Sequence, residues 1–261
     1  FAESICDELE VLEAALSVVQ KNPLGSGAGF GSSFQLDRDF TTKELNLEKM
    51  NVNSVYAQMT RGKSEKITAM AMSTLASTLG KLAYDICMFS NQNYGFIGFP
   101  TELTTGSSIM PHKKNPDVFE LIRAKSARIQ SLPNELTLLT NNLPSGYHRD
   151  FQLTKKIIFP GIQELKDCLE IFEFMLQHIE VKNDILKDEK YDYLFSVEKI
   201  NELVMNGASF REAYREVGNA IENGTYHYRN DDLKHTHIGS IGNLCLEEIT
   251  RNFEEVFRKF N

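Results

Sequence analysis

Apolar residues recur at helical spacing along most of the chain. Ile5, Leu9, Leu12, Leu16 and Val19 form one stripe, which predicts a helix over residues 2–20. Asn22-Pro23 ends it, because the residue before a proline is driven out of the helical region. Ile67, Met70, Ala71, Leu75, Leu79 and Leu82 predict a long helix over residues 64–91, with Ser64 as its N-cap. A second long helix is expected over residues 116–141, with Pro133 as a kink or break. A third is expected over 150–180, rich in Ile, Leu and Phe and bent near Pro160-Gly161. Beyond 181 the pattern shortens. Ser196 opens a helix that Gly207 ends. Ser209-Phe210-Arg211-Glu212 reads as a capping box for the next, which stops at Asn223-Gly224. The expected fold class is all-α, a long helical bundle followed by a small helical domain. The expected domains are 1–180 and 181–261, with no internal repeat, low-complexity run or sheet.

Two polar stretches interrupt this pattern. The first is Gly106-Ser107-Ser108-Ile109-Met110-Pro111-His112-Lys113-Lys114-Asn115-Pro116. It sets hydroxyls, cations and a carboxamide on one loop between a glycine and a helix start. Pro116 suits the first helical position, and Asp117 and Glu120 fall where the helix dipole favours acids. Taking a proton from carbon next to a carboxylate creates an enolate-like dianion. Such a species needs preorganised donors and cations, which Lys113 and Asn115 can supply. A serine can take that proton only when its hydroxyl is activated. The second stretch, Pro144 to Gln152, joins two predicted helices. It puts Tyr147, Gln152 and Lys155 near one turn. On spacing alone, a solvated helix connection is the simpler reading of it.

Composition narrows the classes. The chain has 261 residues, 41% hydrophobic and 25% charged, as in ordinary globular proteins. The net charge of −8 argues against nucleic-acid binding driven by bulk charge. A local basic cluster of Lys113, Lys114, Arg123, Lys125 and Arg128 suits a dicarboxylate or a phosphate. Cys6, Cys87, Cys168 and Cys245 lie far apart, as expected of reduced thiols in a cytoplasmic protein. No run of about eighteen apolar residues is present, so no membrane span is expected, and no signal peptide is visible. The glycine-rich stretch 25–29 is not read as a nucleotide loop, because no strand precedes it and no Gly-Lys-Ser/Thr follows. His235-Thr236-His237 has metal-like spacing but no evident acidic or Cys partner, and no metal site is expected.

The eleven-residue loop resembles the signature of the fumarase/aspartase superfamily, Gly-Ser-Ser-x-Met-Pro-x-Lys-x-Asn-Pro. Its continuation, Lys114-Asn115-Pro116-Asp117 and then Glu120-Leu121-Ile122-Arg123, is most similar to argininosuccinate lyases. So is the spacing of Tyr147, Gln152 and Lys155. Residues 25–29 and 34–38 resemble two further segments of that family. The resemblance implies elimination of fumarate from argininosuccinate, leaving arginine, with no cofactor. It implies Ser107 as the group exchanging the proton at carbon, and Lys113 and Asn115 as carboxylate holders. Glu120 would orient a histidine, and Ser108, Met110, Tyr147, Gln152 and Lys155 would bind substrate. It further implies a homotetramer whose active sites are shared between subunits.

The resemblance covers the C-terminal portion of the family. The chain is therefore expected to lack the N-terminal domain, the early central helices and the upstream histidine, and to have little or no lyase activity alone. The family's Ser-x-Asp-Arg-Asp segment is replaced here by residues 53–61, leaving Arg61 as its cation. The alternatives are another superfamily member, such as an adenylosuccinate lyase, or a catalytically inactive structural or binding relative.

Overall fold

The computed structural model describes residues 1–110, 112–228 and 235–260, and their regular structure is almost wholly helical. Two compact units are present, one of residues 1–180 with 249–261 and one of residues 181–248. The last thirteen residues thus cluster with the first unit, whereas the sequence pattern assigned them to the second.

The first unit is built on helices α1 (Ala2–Val19), α4 (Lys63–Ser90), α5 (Asp117–Thr140) and α6 (Thr154–Leu176). Short helices α2 (Arg38–Glu44) and α3 (Ser54–Met59) lie between α1 and α4. Helices α4, α5 and α6 each carry a buried seam with steps of three and four residues, the spacing that keeps one face turned to a neighbour. On α4 the seam is Ala69, Met72, Ala76, Leu79, Ala83 and Ile86; on α6 it is Ile158, Gly161, Leu165, Cys168, Phe172 and Met175. The α4 stripe is rotated from the one the sequence suggested, for Met70 is half exposed while the alanines are buried. Small residues let α5 approach closely. A Cβ placed on Gly80 would lie 3.2 Å from Ser126 Cβ.

Neither proline breaks its helix. Residues Asp117–Thr140 stay helical across Pro133, and Thr154–Leu176 across Pro160. An interior proline costs about 3 kcal/mol. Ile129, Leu132 and Leu136, all buried around Pro133, each contribute about 1.5–3 kcal/mol, so packing outweighs the lost hydrogen bond. The start of α4 also differs from expectation. Its N-cap is Gly62, at φ 81°, rather than Ser64. A Cβ on Gly62 would stand 2.7 Å from Thr140 Cγ2, so both backbone angle and space require glycine there.

A short parallel pairing of Lys21–Asn22 (β1) with Lys49–Met50 (β2) was not foreseen. Buried Asn22 donates to Thr41 Oγ1 and Thr42 Oγ1 and accepts from the Leu24 amide. Arg38 donates to the carbonyls of Leu24, Asn51 and Val52. These bonds tie the chain between α1 and α4 into one piece.

The second unit contains α7 (Ser196–Met205) and α8 (Phe210–Glu222). They pack around Ile200, Ala213, Val217 and Tyr226. Both halves of the Ser209–Glu212 capping box form, and Gly207 and Gly224 follow their helices at positive φ. Helix α9 (Leu246–Phe257) was not foreseen. Among the described residues no helix is long and apolar enough to cross a membrane.

Two predictions follow from this packing. A Cβ on Gly161 would lie 2.4 Å from Leu132 Cδ1. Overpacking costs about 1–3 kcal/mol, more than the ~1 kcal/mol gained in helix propensity. Gly161→Ala should therefore lower the denaturant midpoint. Combining it with Leu132→Ala should cost less than the two single losses added, by at least about 0.5 kcal/mol.

The second prediction concerns Glu8 on α1, which accepts a hydrogen bond from Thr78 Oγ1 while its Oε2 is buried without a partner among the described residues. Burial pushes its carboxyl above the ordinary range, against the Thr78 bond, which lowers it, and with a push from Asp7. The fold therefore favours the neutral acid. That stabilisation is complete below the unfolded value of about 4.3 and is lost as pH rises through the folded one. Glu8→Gln cannot titrate, so its melting temperature should gain on wild type between about pH 4 and about pH 7. Parallel melting curves across that range would contradict the assignment.

Candidate active site

The signature loop emerges at the N-terminal end of α5. Its base is closed by an antiparallel bridge: Asn115 N–H donates to Thr105 O at 2.9 Å, and Thr105 N–H to Asn115 O at 3.2 Å. Pro116 takes the N-cap position, and the helix begins at Asp117, one residue later than expected. Ser107 is half-buried, and its Oγ accepts from the amides of Ile109 (3.2 Å) and Met110 (3.1 Å). Two N–H donors aimed at one hydroxyl oxygen favour its deprotonated form, which is the activation a serine base needs.

Ser108, Met110, Lys113 and Glu120 are exposed, and Asn115 is half-buried. Lys114 Nζ donates to Thr101 Oγ1 at 2.6 Å. Pro111 lies outside the described residues. Below the loop, the buried ring of Phe119 packs on Phe99 and Phe172, fixing the first turn of α5 against its neighbours. Cys87 lies nearby on α4. Burial pushes its thiol up, Arg123 opposes this, and Glu120 adds to it.

The second constellation sits at the other end of α5. Tyr147, Gln152 and Lys155 are exposed on the connection from α5 to α6 and on the first turn of α6. Buried Phe151 anchors that connection, and Thr154 Oγ1 donates to Glu65 Oε1 at 3.1 Å. With 24 residues in α5, its two ends are about 36 Å apart at 1.5 Å per residue. The chain therefore brings Ser107, Ser108, Met110, Lys113, Asn115 and Glu120 into one neighbourhood and Tyr147, Gln152 and Lys155 into another. It does not bring the two together.

Arg61, which the sequence offered only as the cation of a replaced segment, belongs to the second neighbourhood. Its guanidinium carbon is 4.9 Å from the Tyr147 ring centroid and 5.3 Å from that of Phe151. The available signal was the pair of aromatics four residues apart. Which cation would meet them depended on chain distant in sequence. His235 of the His-x-His motif faces Glu198 at 3.0 Å. Among the described residues no group of three or more candidate metal ligands assembles.

Residues 1–131 match the model of the Lyase family. Over its full length the chain is 52% identical to an argininosuccinate lyase of Bacteroides fragilis (strain YCH46) and 51% identical to that of Bacteroides thetaiotaomicron. In each case it spans 58% of the relative's own length. Among solved structures, an EDDS lyase in complex with formate superposes with a TM-score of 0.78 at 18% identity, over 98% of this chain and 58% of the other. A fumarate lyase:delta crystallin from Brucella melitensis gives 0.59 at 19%, over 71% and 42%. These two likenesses show an all-α lyase fold. With half of its residues matched by the family model and its whole length similar to argininosuccinate lyases, the chain belongs to the Lyase family.

Proposed function

We propose that this chain forms part of an argininosuccinate lyase, which eliminates fumarate from argininosuccinate and leaves arginine. The observation that carries this reading is the identity of about half of all residues to argininosuccinate lyases along the entire chain. In the proposed reaction Ser107 takes the proton from the succinyl carbon. The C–H electron pair becomes the double bond of fumarate as the C–N bond breaks. The guanidino nitrogen leaves with the bonding pair and takes a proton from a general acid. Amides of Ile109 and Met110 stabilise the deprotonated serine. Lys113 and Asn115 hold the carboxylate whose charge grows in the transition state. Glu120 orients a histidine from the upstream part of the protein. Ser108, Met110, Tyr147, Gln152 and Lys155 contact substrate. No cofactor takes part.

The homotetramer belongs to the same proposal. One substrate cannot reach both ends of α5, so a complete site needs Ser107 from one subunit and Tyr147 from another. Exposed apolar side chains support self-association. They include Met70 and Tyr84 on α4, Leu121 and Leu138 on α5, and Phe159 and Phe174 on α6. A cytoplasmic location is also proposed, supported by the free thiols of Cys6, Cys87, Cys168 and Cys245.

The full-length protein should release fumarate from argininosuccinate, followed by ultraviolet absorbance, and not from adenylosuccinate. Ser107→Ala should abolish turnover with little change in melting temperature. Absence of fumarate from wild type, or turnover by the alanine variant, counts against the reading. Ser107→Ala and Gln152→Ala subunits, each inactive alone, should regain about a quarter of wild-type activity when refolded together, because random mixing restores that share of intersubunit sites. No recovery would place both constellations in one subunit's site.

A further inference from the structure

Arg61 is held in an unusual way. It lies between α3 and α4, and its guanidinium meets the ring of Tyr147 and the buried ring of Phe151. Among the described residues its side chain makes no ion pair and no hydrogen bond. A carboxylate partner would both neutralise the guanidinium and occupy its donors. Aromatic rings do neither, because a ring attracts the cation without accepting a conventional hydrogen bond from its N–H groups. The result is an oriented cation with its donors unspent.

Cations outnumber acids around it. Arg61 lines a cleft of about 330 Å³ together with Lys21 and Lys63. Lys63 Nζ is likewise placed over a ring, that of Tyr56, at 5.4 Å. Glu65 on the same wall is engaged by Thr154. A planar anion is the chemistry this edge fits, since the guanidinium fork matches a carboxylate in two parallel hydrogen bonds.

We propose that Arg61 is a substrate-binding residue that takes a carboxylate of the substrate on its in-plane N–H edge, with Tyr147 and Phe151 setting the plane of the guanidinium. This rests on the reading that Tyr147, Gln152 and Lys155 bind substrate. It adds to them a guanidinium fork able to hold a carboxylate by two parallel hydrogen bonds.

The test is steady-state kinetics of the full-length protein with argininosuccinate. Arg61→Ala should raise KM by about 10- to 100-fold, as loss of a charged hydrogen-bonded contact does, with kcat largely kept and the melting temperature unchanged. Arg61→Lys keeps the charge but loses the fork, and its KM should also rise. Added methylguanidinium should lower the KM of Arg61→Ala, and methylammonium should not. An unaltered KM in Arg61→Ala overturns the role of Arg61 while leaving the lyase reading intact. Wild-type protein that releases no fumarate overturns the lyase reading itself, and this proposal with it.

Discussion

Helix α5 acts as a spacer, and the rest of the molecule depends on its remaining one. It runs unbroken from Asp117 to Thr140, with Ser107 and its loop at one end and Tyr147, Gln152 and Lys155 at the other. A helix interior is stiff because each residue is bonded to the turn before it. Pro133 threatens that stiffness by removing one bond and crowding the preceding turn. Ile129, Leu132 and Leu136 hold the helix straight enough to continue, since all three are buried against neighbouring helices. Distance between the two constellations is thus a property of the core, not of the loops.

The core achieves this through small residues. Alanines on α4, Gly80 opposite Ser126, and Gly161 opposite Leu132 let the helix axes approach. Close approach increases the number of dispersion contacts per helix turn, each small but many together. Loops anchored on such a frame inherit its precision. Phe119 holds the start of α5 beneath Ser107, and Phe151 holds the α5–α6 connection beneath Tyr147. Each polar constellation therefore stands on a buried aromatic ring.

Much of this was readable in the chain. Three of the long helices appear within a residue of the ranges their periodicity predicts, the helix expected over 150–180 is four residues shorter at each end, and the Ser209–Glu212 capping box forms as its spacing requires. What failed did so for identifiable reasons. Ser64 was taken as the N-cap of α4 because serine is a good one, but Thr140 presses on Gly62 from a distant part of the chain. Met70 was assigned to the core by hydrophobicity. The buried seam instead follows the alanines, because the neighbouring helix needs room more than it needs apolar surface there.

Local chemistry determined, from the sequence alone, the long helices, the Ser209–Glu212 capping box, the signature loop and the family likeness. Each depends on residues a few positions apart, where spacing fixes geometry. Tertiary structure decided where those pieces lie relative to one another within the bundle. It set Arg61 on the rings of Tyr147 and Phe151, more than eighty residues away in sequence, and it held the two constellations at opposite ends of α5. No periodicity encodes such facts, because they follow from which helix faces can approach closely, and only the packed core settles that.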